Sequence, residues 1–178
     1  MKIILIFVST LDGKVTRWGD DKIRSWSSHE DQSYFDSIWN ATRAIIMGSG
    51  TYKPDPVKPN PNHLFIVMTR HPSDYINLYK KGLLEFTDES PENLLRRLGD
   101  SDDNILIVGG PQIATLFLKD QLIDELWLTV EPKIFGSGAS IVTEERFDID
   151  LKLLSSELIN EQGTLINKYN VIRKGKPR

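Results

Sequence analysis

The chain has 178 residues, 39% of them hydrophobic and 26% charged, with a formal net charge of −3. That length fits a single domain over residues 1–178, with a core large enough to need no staples. The absence of cysteine excludes disulfides, Cys-ligated zinc and thiolate nucleophiles, and the mild acidity argues against a nucleic-acid surface.

Met1-Lys2 and the apolar run Ile3–Val8 have the outline of a signal peptide. The run is too short, however, and leads into Ser9-Thr10-Leu11-Asp12-Gly13 without a small-residue cleavage site. No stretch approaches the roughly eighteen apolar residues of a membrane span, so the expectation is a soluble, cytoplasmic chain. Ile3–Val8 is nearly uninterrupted Ile, Leu, Phe and Val, the pattern of a strand buried on both faces.

From His29 to Arg43 the residues Phe35, Ile38, Trp39 and Thr42 recur at helical spacing. Ala44–Met47 and Leu64–Met68 read as further buried strands, separated by a proline-rich loop, Pro54–Pro61, too short to join two domains. Ser90-Pro91-Glu92 supplies the N-cap, first helical residue and early acid of a short helix that Gly99 closes. Ile105–Val108 is a fourth buried strand, and Pro111 opens a third helix with Ile113, Leu116 and Phe117 inward. Leu126–Val130 is a strand, and Asp150–Leu158 and Thr164–Ile172 pair about a turn at Glu161-Gln162-Gly163. Asp102-Asp103 and Glu144-Glu145 read as solvated loops, and the basic tail from Arg173 to Arg178 as a frayed end. His29, His63 and His71 lack metal-ligand spacing and read as surface or capping residues. Strands alternating with helices predict an α/β layer structure around a largely parallel sheet, finished by an antiparallel pair at the C-terminal edge.

In such a sheet ligands bind beyond the carboxyl ends of the strands. Four ends here carry small or phosphate-compatible residues: Ser9-Thr10-Leu11-Asp12-Gly13-Lys14, Gly48-Ser49-Gly50-Thr51, Thr69-Arg70, and Gly109-Gly110-Pro111 with Gln112. A phosphate needs bare backbone N–H groups and close approach, which glycine permits. Gly48–Thr51 and Gly109–Gly110 suit a pyrophosphate, and Arg70 beside the Thr69 hydroxyl suits a ribose 2′-phosphate. No G-x-G-x-x-G and no P-loop occurs.

Taken in order, Ile45–Tyr52, Val67–Arg70, Ile107–Gly110 and Asp124–Leu128 resemble the successive signatures of the dihydrofolate reductase superfamily. Ser9–Lys14 and Pro132–Gly138 are similar to the riboflavin-pathway reductase domain in particular. The resemblance implies a three-layer α/β/α fold with a central, mostly parallel sheet and an antiparallel C-terminal hairpin. It also implies an NADPH-dependent reductase of a pyrimidine or pteridine-type substrate, most like 5-amino-6-(5-phosphoribosylamino)uracil reductase. Gly48, Ser49, Gly50, Thr51, Gly109, Gly110, Pro111 and Gln112 would hold the pyrophosphate, the Gly-Gly peptide being commonly cis in relatives. Thr69 and Arg70 would grip the 2′-phosphate, Asp55 would touch cofactor, and Trp26 would flank the nicotinamide. Thr10 and Asp12 lie in a loop expected to cover that ring as a lid. Relatives of the riboflavin type pair as homodimers through their sheets.

Asp31 is the candidate catalytic residue. It lies four residues before Phe35 and so on the inner face of its helix, and its spacing from Trp26 and Phe35 resembles the substrate-binding acid of dihydrofolate reductases. Equally, Ser28-x-x-Asp31 and Ser27-x-x-Glu30 fit capping boxes, in which the acid serves only the helix N-terminus. Substrate positions depart from the riboflavin pattern. Val108 stands where a Glu precedes the paired glycines, Asn40 stands for an Arg with Arg43 shifted, and only Lys58 offers a cation for a folate tail. A dihydrofolate or pterin reductase and a catalytically inactive NADPH-binding module therefore stand as alternatives.

Overall fold

The first strand, β1 (Ile3–Thr10), is buried at all eight of its residues, because both of its faces and both of its edges are covered. Its side chains alternate between two cores, as successive residues of a strand must. Ile3, Leu5 and Phe7 face one cluster, while Ile4 and Ile6 face the other. The computed structural model describes residues 1–18, 20, 22–99 and 103–173. Asp102 and the tail beyond Arg173, expected to be loop and frayed end, lie outside those residues.

In chain order the other elements are α1 (His29–Ala41), β2 (Ala44–Gly48), α2 (Ser49–Tyr52), β3 (Leu64–Met68), β4 (Leu84–Thr87), α3 (Pro91–Leu98), β5 (Ile105–Ile107), α4 (Pro111–Lys119), β6 (Glu125–Glu131), β7 (Asp150–Leu158) and β8 (Leu165–Ile172). The eight strands form one sheet in the order β4-β3-β2-β5-β1-β6-β8-β7. It is parallel from β4 to β6 and antiparallel where β8 joins β6 and β7 joins β8. One face packs α3 and α4 through Leu94, Leu95, Ile113, Ala114, Phe117 and Leu118. The opposite face packs α1 and α2 through Tyr34, Phe35, Ile38, Trp39 and Tyr52. Complete burial of a side chain such as Phe117 contributes about 1.5–3 kcal/mol. Among the described residues no helix is long and apolar enough to cross a membrane.

The expected α/β layers and antiparallel edge are present, with element ends shifted by a residue or two. Three local expectations are corrected. β4 (Leu84–Thr87) was not foreseen, because Glu85 breaks its apolar run. That carboxylate is buried in an ion pair with Arg97 of α3 at 2.9 Å. Leu116, expected inward, is 42% exposed, and Ala114 and Leu118 complete the inner face instead. His63 is buried, its ring against Trp39 and Phe65 and its Nδ1 at 2.9 Å from the Thr42 carbonyl.

Candidate active site

The parallel strands end on one edge of the sheet, and that edge gathers the predicted segments. The Gly48 N–H donates to the Gly109 carbonyl at 2.9 Å, which joins the end of β2 to the turn after β5. A Cβ on Gly48 would stand 2.9 Å from Ile113 Cγ1 and 3.7 Å from the Gly110 nitrogen; one on Gly110 would stand 3.3 Å from Thr51 Oγ1. The Gly109–Gly110 peptide is cis. Helix caps sort by place. Away from this turn, α1 and α3 are capped by Ser28 and Ser90 side chains. At it, α2 and α4 begin on Gly48 and Gly110 without a side-chain cap, so their first N–H groups keep their capacity to bind an anion.

β3 lies beside β2 with Gly48 opposite Met68, which puts Thr69 and Arg70 next to the same turn. The Thr69 N–H donates to the Thr87 carbonyl at 2.8 Å, so the unforeseen β4 fixes this strand end. Arg70 is exposed. Asp55 is exposed on the connection after α2; the Arg24 guanidinium, raised chiefly by its bond to Asp36, also feels the Asp55 charge.

The loop after β1 is tied down at its acid. Asp12 accepts from the Thr10 hydroxyl at 2.5 Å and from the N–H groups of Phe135 and Gly136 at 3.2 and 2.8 Å. The Thr10 hydroxyl, then these amides, hold its carboxyl below the ordinary aspartate range. Asp12 thus joins the loops after β1 and β6. Phe135 in turn meets Trp26 edge to face at 5.1 Å between ring centroids. Trp26 is buried, and its Nε1 has no hydrogen-bond partner among the described residues. A buried orphan donor is costly, and a ligand acceptor would satisfy it.

Asp31, at the N-terminus of α1, is 5% exposed. Burial pushes its carboxyl above the ordinary range, and the charge of Glu131 adds to the rise. A hydrogen bond with Thr129 and the nearness of the Ser27 hydroxyl and Arg24 pull it back only in part. The Ser27 hydroxyl is buried without a well-formed hydrogen bond. Glu131 is 1% exposed. Burial alone would raise it, yet the Ser28 N–H at 2.6 Å, the Ser28 and Thr164 hydroxyls and the Lys133 ammonium outweigh that and hold it ionised. Two neighbouring carboxyls pushed in opposite directions are a common arrangement for acid–base work.

Sequence reasoning did not find Thr129, Glu131 or Phe135. The one signal for Glu131 was an acid closing an apolar strand. Of the predicted residues, the Gly48, Gly109, Thr69 and α4 segments converge, and Thr10, Asp12, Trp26 and Asp31 gather through the loop contacts beside them. Val108 is half-buried against the α1 core, and Asn40 is exposed.

Sheet order and layers define a dihydrofolate reductase-like α/β fold. The dihydrofolate reductase of Enterococcus faecalis, complexed with NADP(H) and RAB-propyl, superposes with a TM-score of 0.69 at 18% identity, over 96% of each chain. The signature of the RibD C-terminal domain matches residues 1–165, and the chain belongs to that family. The uncharacterized protein YwjB of Bacillus subtilis (strain 168) is 27% identical over 159 residues, 85% of this chain and 88% of YwjB. A diaminohydroxyphosphoribosylaminopyrimidine deaminase/5-amino-6-(5-phosphoribosylamino)uracil reductase from Thermotoga maritima superposes with a TM-score of 0.74 at 21% identity, over 95% of this chain and 56% of that one.

Proposed function

We propose that the protein is an NADPH-dependent reductase of a pyrimidine or pteridine-type substrate, most like 5-amino-6-(5-phosphoribosylamino)uracil reductase. The observation that carries this reading is the junction of Gly48 with Gly109–Gly110, where the uncapped starts of α2 and α4 meet and a side chain on Gly48 would fill the gap. These residues fit a pyrophosphate. Gly48–Thr51 and Gly109–Gln112 would hold it, Thr69 and Arg70 would take a 2′-phosphate, and Asp55 would contact the cofactor. Trp26, with its orphan Nε1, would meet the nicotinamide end under the loop of Thr10 and Asp12. When bound, NADPH supplies a hydride. The protein's share is to orient the partners and exclude water, through Trp26 and Phe135, and to manage the proton through Asp31.

Riboflavin-type and pterin substrates place different demands on Asp31. The ring-opened ribose of the first is reduced at a carbon remote from the base. Reduction of a pterin C=N needs a proton at the ring, and the buried Asp31, whose carboxyl burial pushes above the ordinary range, supports that second reading. Half-buried Val108 and exposed Asn40, in place of the family's Glu and Arg, support the third reading, a module that binds NADPH without turnover. The deciding experiment is NADPH titration of the purified protein, followed by its oxidation with the riboflavin intermediate or dihydrofolate. Binding and oxidation with either substrate uphold the reductase, binding alone supports the inactive module, and no binding removes both. We also propose a homodimer through the edge strand β7, all nine of whose residues are exposed.

A further inference from the structure

A capping box is reciprocal: the N-cap side chain accepts from the N–H three residues on, and the acid there accepts the N-cap N–H in return. Only half of this forms at α1. Ser28 Oγ accepts the Asp31 N–H at 3.2 Å, but the Ser28 N–H does not return to Asp31. It donates instead to Glu131 Oε1, at 2.6 Å and 103 residues along the chain. We propose that Glu131 is a positioning residue which takes over the capping duty of Asp31, leaving the Asp31 carboxyl to face the site beside Thr129 and Ser27.

The idea rests on the reductase reading only for its use, which is a proton held for the substrate; the geometry stands without it. Glu131 is anchored from three elements. Ser28 holds one oxygen, the Thr164 hydroxyl holds the other at 2.9 Å, and Lys133 stands 3.4 Å from it. Asn160 accepts the Thr164 N–H at 3.0 Å and donates to its hydroxyl at 2.9 Å, so the turn between β7 and β8 keeps this donor to Glu131 in place. The end of β6, the start of α1 and the last hairpin thereby fix one carboxylate. That carboxylate, held below its ordinary range, disfavours a second negative charge beside it and so adds to the burial that raises the Asp31 carboxyl. The titratable and charged groups facing Asp31 are Glu131 from β6, Arg24 from the turn before α1 and Tyr34 within α1. Arg24 is itself paired with Asp36; burial first, and then the Glu131 charge, raise the Asp31 carboxyl against it.

The test is ¹³C NMR titration of side-chain carboxyls in the free protein, with Asp31→Asn assigning the Asp31 signal. In the unaltered chain Asp31 should titrate above the ordinary aspartate range. In Glu131→Ala the Ser28 N–H is released and Asp31 closes the box, so its midpoint should fall below that of the unaltered chain. Glu131→Gln keeps an oxygen for Ser28 but loses the charge, so its fall should be smaller. An unchanged midpoint in folded Glu131→Ala would overturn the assignment, as would an ordinary Asp31 in the unaltered protein. Should Glu131→Ala not fold, Glu131→Gln decides: a lower midpoint supports the proposal and an unchanged one overturns it. No cofactor or substrate is present in this titration. An inactive protein would therefore sink the reductase reading alone, and an unchanged midpoint would sink this one alone.

Discussion

The carboxylate of Asp12 accepts the backbone N–H of Gly136 at 2.8 Å, although 124 residues separate them. This contact adds to the Leu11 N–H bond to the Lys133 carbonyl (2.9 Å) and the Val15 N–H bond to the Ala139 carbonyl (2.8 Å) in joining two loops, and at its own end Phe135 meets Trp26. Asp12→Ala should loosen the Phe135–Gly136 end of that junction while the other bonds remain. Amide exchange at residues 135–136 should quicken, and Trp26 emission should shift as Phe135 leaves it. The folded carboxyl lies below its unfolded value, so the tie is complete above the ordinary aspartate range and is lost only as pH falls through the depressed value. The Gly136 amide resonance, followed down in pH, checks this.

Gly48 closes β2 and Gly50 lies in α2, and their surroundings differ sharply. A methyl at Gly48 meets Ile113 Cγ1 at 2.9 Å, whereas one at Gly50 meets nothing within 4 Å. Gly48→Ala should cost about 1–3 kcal/mol through overpacking and should weaken NADPH binding. Gly50→Ala should leave thermal stability unchanged or slightly raised. Thermal melts of the two variants give the contrast.

Arg70→Ala should weaken NADPH binding roughly ten- to hundred-fold, the worth of about 1.5–3 kcal/mol for a charged hydrogen bond, and should leave NADH nearly unchanged. Parallel fluorescence titrations with the two dinucleotides measure it. Equal weakening of both would remove the 2′-phosphate assignment.

Asp31 couples stability to pH with the opposite sign to Asp12. Its folded carboxyl holds a proton more tightly than the unfolded chain does. Stability should therefore decline as pH rises from the ordinary aspartate range through the raised folded value, and level off above it. Asp31→Asn should abolish that decline and be the more stable form at neutral pH, as urea midpoints across pH will show. The same variant should lose turnover severely with a pterin and barely with the riboflavin intermediate.

β7 exposes Leu153 at 52% and Leu158 at 62%, and among the described residues its outer edge has no neighbour in the sheet. Sedimentation should show a dimer that Leu153→Glu converts to monomer. An unaltered chain that sediments as a monomer would end the sheet-edge proposal.

Much of this fold was legible because local pattern and long-range environment agree. β1, β2 and β3 are apolar on both faces, and α3 and the cradle glycines carry their own punctuation. Legibility failed where a partner distant in sequence changed what a residue means. Glu85 reads as a surface acid until Arg97 pairs with it. His63 reads as a surface residue until Trp39 and Phe65 close around its ring.

By itself the sequence determined the α/β class, the largely parallel sheet with its antiparallel C-terminal edge, and the small, glycine-rich residues at the strand ends. These follow from periodicity and backbone stereochemistry, which act over a few residues. Only the tertiary structure decided what Asp12 and Asp31 do. The Gly136 N–H reaches Asp12 from 124 residues away, and Glu131, 103 residues from Ser28, accepts the N–H that a capping box would have given to Asp31.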